Sequence, residues 1–228
     1  MRVCIIPARS GSKRIPGKNV RLFRGRPIIT WPIERVLKSD MFDRIIVSTD
    51  CPKISEIAIS AGAEVPFLRN SRLSGDYVPT VDVIADTLCQ LQQKNQKVKD
   101  VCCVYPTSVF LRKEDLENGW HMLQSRDWDY AFSASYISSS LFRAFTRMET
   151  GEVRLLFPEY ATSRTQDLPQ AYTDAAQYYW GRAETWTARK PIISETSAAV
   201  LLIDETCIDI DTEEDWKTAE RLVQSQSI

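Results

Sequence analysis

The chain has 228 residues, 43% hydrophobic and 26% charged, which suits one folded α/β domain and excludes a disordered or collagen-like one. Lys and Arg number 29 against 30 Asp and Glu, and this net charge of −1 excludes a generally basic nucleic-acid coat. No apolar run approaches the roughly 18–20 residues of a membrane span. A single histidine, His121, excludes a multi-histidine zinc site, weakens any Ser-His-Asp or Cys-His proposal, and is assigned no chemistry.

Residues 2–6, Arg-Val-Cys-Ile-Ile, predict a buried strand ended by Pro7, and a Gly, Ser and Lys loop follows to Asn19. The four-residue apolar run is shorter than the roughly 7–15 residues of a signal-peptide core, so a cytoplasmic protein is expected. A short helix is expected over 28–38, a strand over 44–48, a helix over 52–61 closed by Gly62, and a short third strand over 64–68. From Thr80, apolar residues at Val81, Ile84, Ala85, Leu88 and Leu91 keep the period of a helix with one buried face. Residues 100–104 read as a fourth strand. Leu116, Trp120 and Leu123 repeat the helical spacing, and 130–135 return to strand.

This alternation is the pattern of a Rossmann-like, doubly wound and mostly parallel sheet. Such sheets bind ligands beyond the carboxyl ends of their strands, so the loops after residues 6, 48 and 104 are the places for a site. The pattern changes near Tyr136. Residues 137–175 give short β-like pieces at 142–146 and 152–157, either a β-rich excursion or a long functional insertion. Alternation resumes with a helix over 183–188, a strand over 198–203 and a last helix from Thr212. There Thr212 and Asp215 form a cap, with Trp216, Ala219 and Val223 facing inward. One domain over 1–228 is the expected organisation. Tyr178, Tyr179 and Trp180 are expected to pack within a sheet or interface rather than stack on a ligand. Of six cysteines, none in C-x-x-C spacing, Cys4, Cys89, Cys102 and Cys103 fall in apolar stretches, so reduced buried thiols are expected.

The charge is neutral in sum and uneven in distribution. Residues 1–33 hold eight basic side chains and no acid, whereas between Asp204 and Glu220 eight acids face Lys217 alone. A basic loop and an acidic segment together would make a metal–nucleotide site; the other reading is two solvated faces of opposite sign. In the first loop, Gly11 and Gly17 permit φ > 0 and close backbone approach, while Arg9, Lys13, Arg14 and Lys18 add cations. Neither a Walker A nor a G-x-G-x-x-G pattern is present, so a phosphate loop and a solvated basic turn both remain open.

The order of residues is more telling. Ala8-Arg9-Ser10-Gly11-Ser12-Lys13-Arg14-Ile15-Pro16-Gly17-Lys18-Asn19 resembles the signature A-R-x-G-S-K-x-I-P-x-K-N of the CMP-sialic acid synthetases, cytidylyltransferases that activate nine-carbon acidic sugars. The likeness continues through Ile-Ile-Val-Ser-Thr-Asp, Val-Pro-Phe-Leu-Arg, Pro-Thr-Ser and Asp-Ile-Asp-Thr-Glu-Glu-Asp. A second tract, from Phe157-Pro158-Glu159 through Ser163–Leu168 to Tyr179-Trp180-Gly181, looks most like the branch acting on pseudaminic acid.

The resemblance implies transfer of a cytidylyl group from CTP to the sugar, with Mg²⁺ and release of pyrophosphate. It implies that Ala8, Arg9, Ser12, Lys13, Lys18 and Asn19 hold the nucleotide, with Arg69, Thr80, Pro106, Thr107 and Ser108. Arg9, Lys18 and Asp211 would be catalytic. Asp209 and Asp211 would bind the metal, as two carboxylates one residue apart can share a hard cation with phosphate; the other reading is capping of the helix that follows. Residues 137–175 would form a protruding dimerisation segment, giving a homodimer. Tyr105, Arg164, Gln166, Asp167, Tyr172, Asp174 and Gln177 are the sugar-side candidates, although Arg164 and Asp167 also suit a surface ion pair. Small-molecule substrates are expected, with no nucleic acid and no membrane. Ser10, Tyr105 and Val109 depart from the family's usual Gly, Gln and Pro. These changes leave the cytidylyl half intact and put the sugar in question, with N-acetylneuraminate or legionaminate as alternatives. A non-catalytic nucleotide-binding regulator is a remoter one.

Overall fold

The computed structural model describes residues 1–202 and 207–225. β1 (Arg2–Pro7) buries its whole Val-Cys-Ile-Ile run, as a strand covered on both faces should. A small hairpin, β2 (Leu22–Phe23) with β3 (Arg26–Pro27), leads into α1 (Thr30–Ser39), then β4 (Arg44–Ser48) and α2 (Pro52–Ser60). Gly62 closes that helix at φ 95°, a left-handed conformation that favours glycine. α3 (Thr80–Gln93), β5 (Asp100–Val104), α4 (Lys113–Ser125) and β6 (Tyr130–Ile137) complete the expected alternation. After an excursion carrying the hairpin β7 (Phe145–Arg147) and β8 (Val153–Leu155), the chain returns in β9 (Ala171–Arg182), α5 (Ala183–Thr187), β10 (Ser197–Leu201) and α6 (Glu213–Ser225). Of the strand expected over 198–203, Ile203 lies outside the described residues, as do Asp204 and Glu205 of the acidic segment.

The main sheet runs β10-β6-β9-β5-β1-β4 and is parallel except for β9. On one face α1, α2 and α4 pack Ile33, Val36, Ile54, Ala58, Leu116 and Leu123 against Cys4, Ile6, Val47 and Trp180. On the other, α3 and α5 pack Ile84, Leu88, Leu91 and Trp186 against Val3, Ile5, Val101 and Tyr179. The sheet is therefore doubly wound, as its pattern predicts. A third cluster joins Ile15, Phe23, Ile28 and Trp31 to Ile210, Trp216, Ala219 and Val223, seating α6 beside the first loop.

Three expectations are corrected. The third strand over 64–68 reduces to one bridge between Glu64 and Ile46, because Pro66 lacks the N–H that would extend the ladder. Residues 171–175, expected within the excursion, already belong to β9, and 171–174 pair with β6. Cys4, Cys102 and Cys103 are buried, whereas Cys89 is exposed on α3. Tyr178, Tyr179 and Trp180 are buried in the sheet, as expected.

Candidate active site

β1, β4 and β5 are parallel neighbours, so their carboxyl ends coincide and the loops after Pro7, Ser48 and Val104 meet. The loops after Pro7 and Val104, with residues 69–83 and the Asp209/Asp211 pair, line a cleft of about 570 Å³, while the loop after Ser48 stands behind it. The first loop is tied down from within. The Ala8 amide donates to the Ser48 carbonyl at 2.9 Å, and Asn19 Nδ2 donates to the Arg9 carbonyl at 2.9 Å. Gly17 uses its freedom at φ 63°, while Gly11 does not and instead leaves open space where a side chain would stand. Ile15 is wholly buried in the third cluster, so one apolar residue anchors a loop that is otherwise polar.

Asp50, at the end of β4, accepts from the Ser10 amide at 2.9 Å and the Ser10 hydroxyl at 2.8 Å, and lies 3.9 Å from Arg69. Burial opposes its charge, but the Ser10 bonds and Arg69 hold its carboxyl below the usual range. Arg69 is itself buried, which lowers its guanidinium pKa against the pull of Asp50, and its Nε has no partner. A buried cation facing a cleft with unused donor capacity is suited to a polar or anionic ligand.

The acidic segment closes the opposite side. Lys18 Nζ donates to the Ile210 carbonyl at 2.7 Å and to Asp211 Oδ1 at 3.3 Å, and Arg14 reaches the same oxygen at 2.8 Å. Burial, then the neighbouring Asp211, push the Asp209 carboxyl up to about 6, with Lys18 and Arg14 acting against them. Capping of α6 falls to other residues: Asp215 Oδ2 accepts from the amides of Asp211 and Thr212, and Thr212 Oγ1 accepts from the Asp215 amide. Asp209 and Asp211 are thereby left to line the cleft. The two charged segments are not separate solvated faces; they meet across one site.

Arg9, Ser12, Lys13, Lys18, Asn19, Arg69, Thr80, Tyr105, Pro106, Thr107, Asp209 and Asp211 line the cleft together. Thr80 Oγ1 and Tyr105 Oη are 2.9 Å apart, and burial pushes the Tyr105 phenol up to about 12. Ala8 and Ser108 are buried behind the lining, Ser108 Oγ donating to the Gln177 carbonyl at 2.9 Å. Gln177 is also buried, its Nε2 donating to the Ala175 and Ile208 carbonyls. Asp174 accepts from the Tyr179 hydroxyl at 2.7 Å. Arg164, Gln166, Asp167 and Tyr172 are exposed on or beside the excursion and do not line the cleft of their own chain. Arg164 and Asp167 pair with each other at 2.7 Å, the surface arrangement weighed above.

Sequence reasoning missed Asp50, Asp76 and Tyr77. Asp50 stood in plain view after a strand end, in the loop following residue 48. Asp76 accepts from Arg9 Nη1 at 2.5 Å and pairs with Lys13, a meeting across more than sixty positions that no local pattern announces.

A family model described as cytidylyltransferase matches residues 3–225. The pseudaminic acid cytidylyltransferase of Campylobacter jejuni is 36% identical over 96% of this chain and 95% of its own length. The CMP-N,N'-diacetyllegionaminic acid synthase of Legionella pneumophila is 33% identical over 98% of this chain and 97% of its own. A solved structure of CMP:2-keto-3-deoxy-manno-octonic acid synthetase complexed with CTP shares the fold, with a TM-score of 0.74 over 100% of this chain and 99% of that one at 15% identity. With the matched model spanning nearly the whole sheet and both charged segments, this chain belongs to the cytidylyltransferase family.

Proposed function

We propose that this cytidylyltransferase activates pseudaminic acid, a nine-carbon acidic sugar, with CTP to give the CMP-sugar and pyrophosphate. The anomeric hydroxyl oxygen attacks the α-phosphorus and gives up its proton to water, an O–P bond forms, and the bond to the oxygen bridging the β-phosphate breaks, pyrophosphate leaving with the electron pair. The observation that carries this reading is the closure of a basic loop and an acidic pair on one cleft at the strand ends. The names of the relatives point to the same chemistry.

Negative charge accumulates on phosphate oxygens during the transfer, so positioning and charge neutralisation supply the rate. Arg9 and Lys18 neutralise the α-phosphate, and Lys13 holds the departing pyrophosphate. Ser12, Asn19, Arg69, Thr80, Pro106 and Thr107 shape the nucleotide pocket, with Ala8 and Ser108 acting through the backbone behind it. The donor set fits a divalent cation, since two carboxylates one residue apart line the same cleft. Asp209 and Asp211 would hold Mg²⁺, which when bound supplies positive charge to phosphate oxygens.

Tyr105 is the proposed sugar-side group within the cleft, with Asp174 and Gln177 supporting it from behind. Arg164, Gln166, Asp167 and Tyr172 would reach a sugar only in a homodimer. The apolar exposure of Phe145, Met148, Val153 and Leu156 on the excursion supports that assembly. A cytoplasmic setting is proposed; among the described residues no helix is long and apolar enough to cross a membrane. The 33% identity to the Legionella synthase favours a legionaminic acid as the second reading.

The test is pyrophosphate release from the purified protein with CTP and Mg²⁺, offered pseudaminic, legionaminic and N-acetylneuraminic acids separately. Release with pseudaminic acid alone is expected. Turnover of another sugar in its place would keep the chemistry and overturn the substrate, and no release with any would overturn the function.

A further inference from the structure

Two carboxylates approach the first loop from different sides, and they are held very differently. Asp50 is built in, with two hydrogen bonds from Ser10 and buried Arg69 beside it. Asp76 lies in the stretch Ser-Gly-Asp-Tyr-Val-Pro between a turn at Ser71–Leu73 and α3. Its contacts are the side chains of Arg9 and Lys13, and the Lys13 side chain is 79% exposed. None of residues 73–78 belongs to the three apolar clusters, and Tyr77 is 96% exposed, so little packing fixes this stretch in place.

We propose that Asp76 is a displaceable internal counter-anion, occupying on Arg9 and Lys13 the place that a polyphosphate takes. This rests on the reading of Arg9 and Lys13 as polyphosphate-holding groups. A polyphosphate offers these cations more acceptor oxygens and more charge than one carboxylate can. Ion pairs as exposed as these are weak enough to be exchanged for it. Lys13 and Arg9 hold the Asp76 carboxyl below its usual range, so the competing charge is present at neutral pH. The consequence is kinetic: by competing for the same cations, Asp76 limits how tightly the cleft retains pyrophosphate and so favours release of that product.

The experiment titrates inorganic pyrophosphate calorimetrically into the full chain, Asp76→Asn, Asp76→Ala and Lys13→Ala. It also measures product inhibition by pyrophosphate. Both Asp76 variants should bind pyrophosphate about three- to tenfold more tightly, the scale of releasing two exposed ion pairs, with inhibition strengthened in step. Weaker or unchanged binding in both would overturn the inference and make Asp76 a fixed brace for Arg9 and Lys13. If the unaltered chain binds no pyrophosphate, or Lys13→Ala binds it equally well, the reading of the loop fails and the inference with it.

Discussion

Gly119 lies on the buried face of α4, where the helix crosses β9, and its replacement by alanine tests the packing directly. A Cβ there would stand 2.5 Å from Tyr178 Cε2 and 2.7 Å from Trp180 Cδ1. Neither ring can turn aside. Both are fully buried, Trp180 stacks on Phe42 with centroids 5.2 Å apart, and its Nε1 donates to the Leu116 carbonyl at 3.0 Å. Ordinary contact near 3.6 Å therefore requires α4 to move outward by about 1 Å, and overpacking of this kind costs about 2–3 kcal/mol. Alanine recovers about 1 kcal/mol of helix propensity, leaving a net loss of about 1–2 kcal/mol. For a chain of this size the melting temperature should fall by about 2–8 °C. Thermal unfolding followed by tryptophan fluorescence and far-ultraviolet circular dichroism measures it. A melting temperature equal to or above that of the parent would refute the reasoning, because it would mean that the helix-to-strand contact has slack the distances deny.

Asp211→Asn should lower the rate of pyrophosphate release at least about a hundredfold and abolish its response to added Mg²⁺, measured as a metal titration at saturating CTP. Full Mg²⁺-dependent activity in this variant would remove Asp211 from the metal site. Thr212→Ala removes the hydroxyl that accepts from the Asp215 amide at 3.2 Å, and loss of this cap should cost about 1 kcal/mol of stability by urea denaturation. Lys190, then Thr196, hold the Asp129 carboxyl below its usual range. A depressed carboxylate contributes stability above its unfolded pKa, near 3.9, and loses it as pH falls through the lower folded value. The melting-temperature gap between the parent and Asp129→Asn should therefore be constant above about pH 5 and shrink below about pH 4. A gap independent of pH would show that the pair with Lys190 contributes nothing.

The parallel strands were readable because burial on both faces leaves an unbroken apolar run, as in Val-Cys-Ile-Ile of β1 and Val-Cys-Cys-Val of β5. β9 was readable only at Tyr178–Trp180, expected to pack in a sheet or interface, and the reason lies in its construction. It opens with the exposed Tyr172 and Thr173, and its register against β6 slips between the Tyr179–Phe132 and Asp174–Ala134 pairs. Ala176 takes φ 51° within that slip, while Ser133 Oγ accepts from the amides of Gln177 and Tyr178 at 3.1 Å. Such a strand has neither one period nor one polarity, so periodicity cannot find it. The cleft shows the same division. The loops to inspect followed from the strand order, and the loop's cations from its composition. The pairing of Asp76 with Arg9 and Lys13 joins segments that only the folded chain brings together.

How the basic and acidic segments come to face each other is decided by magnitudes. Lys18 and Ile210, 192 positions apart, are bonded at 2.7 Å, and Arg21 pairs with Glu213. An exposed ion pair such as Arg21–Glu213 is worth about 0–1 kcal/mol, and the part-buried bond from the Lys18 ammonium to a carbonyl about 1.5–3 kcal/mol. Together they are too little to order two loops against their own entropy. Beneath them Ile15, Phe23 and Trp31 pack with Ile210 and Trp216, Phe23 lying edge-on to both Trp31 and Trp216 at centroid distances of 5.5 and 5.4 Å. Fully burying each large apolar side chain contributes about 1.5–3 kcal/mol, so this cluster outweighs the ion pairs above it several-fold. The apolar contacts therefore set the geometry, and the charges ride on a frame that does not need them. Arg9, Lys13 and Arg14, carried on a loop anchored by Ile15, can change partners, in the proposed reading from Asp76 and Asp211 to phosphate oxygens, without loosening the fold. A site that must bind a highly charged substrate and then let a charged product go gains from this division of labour.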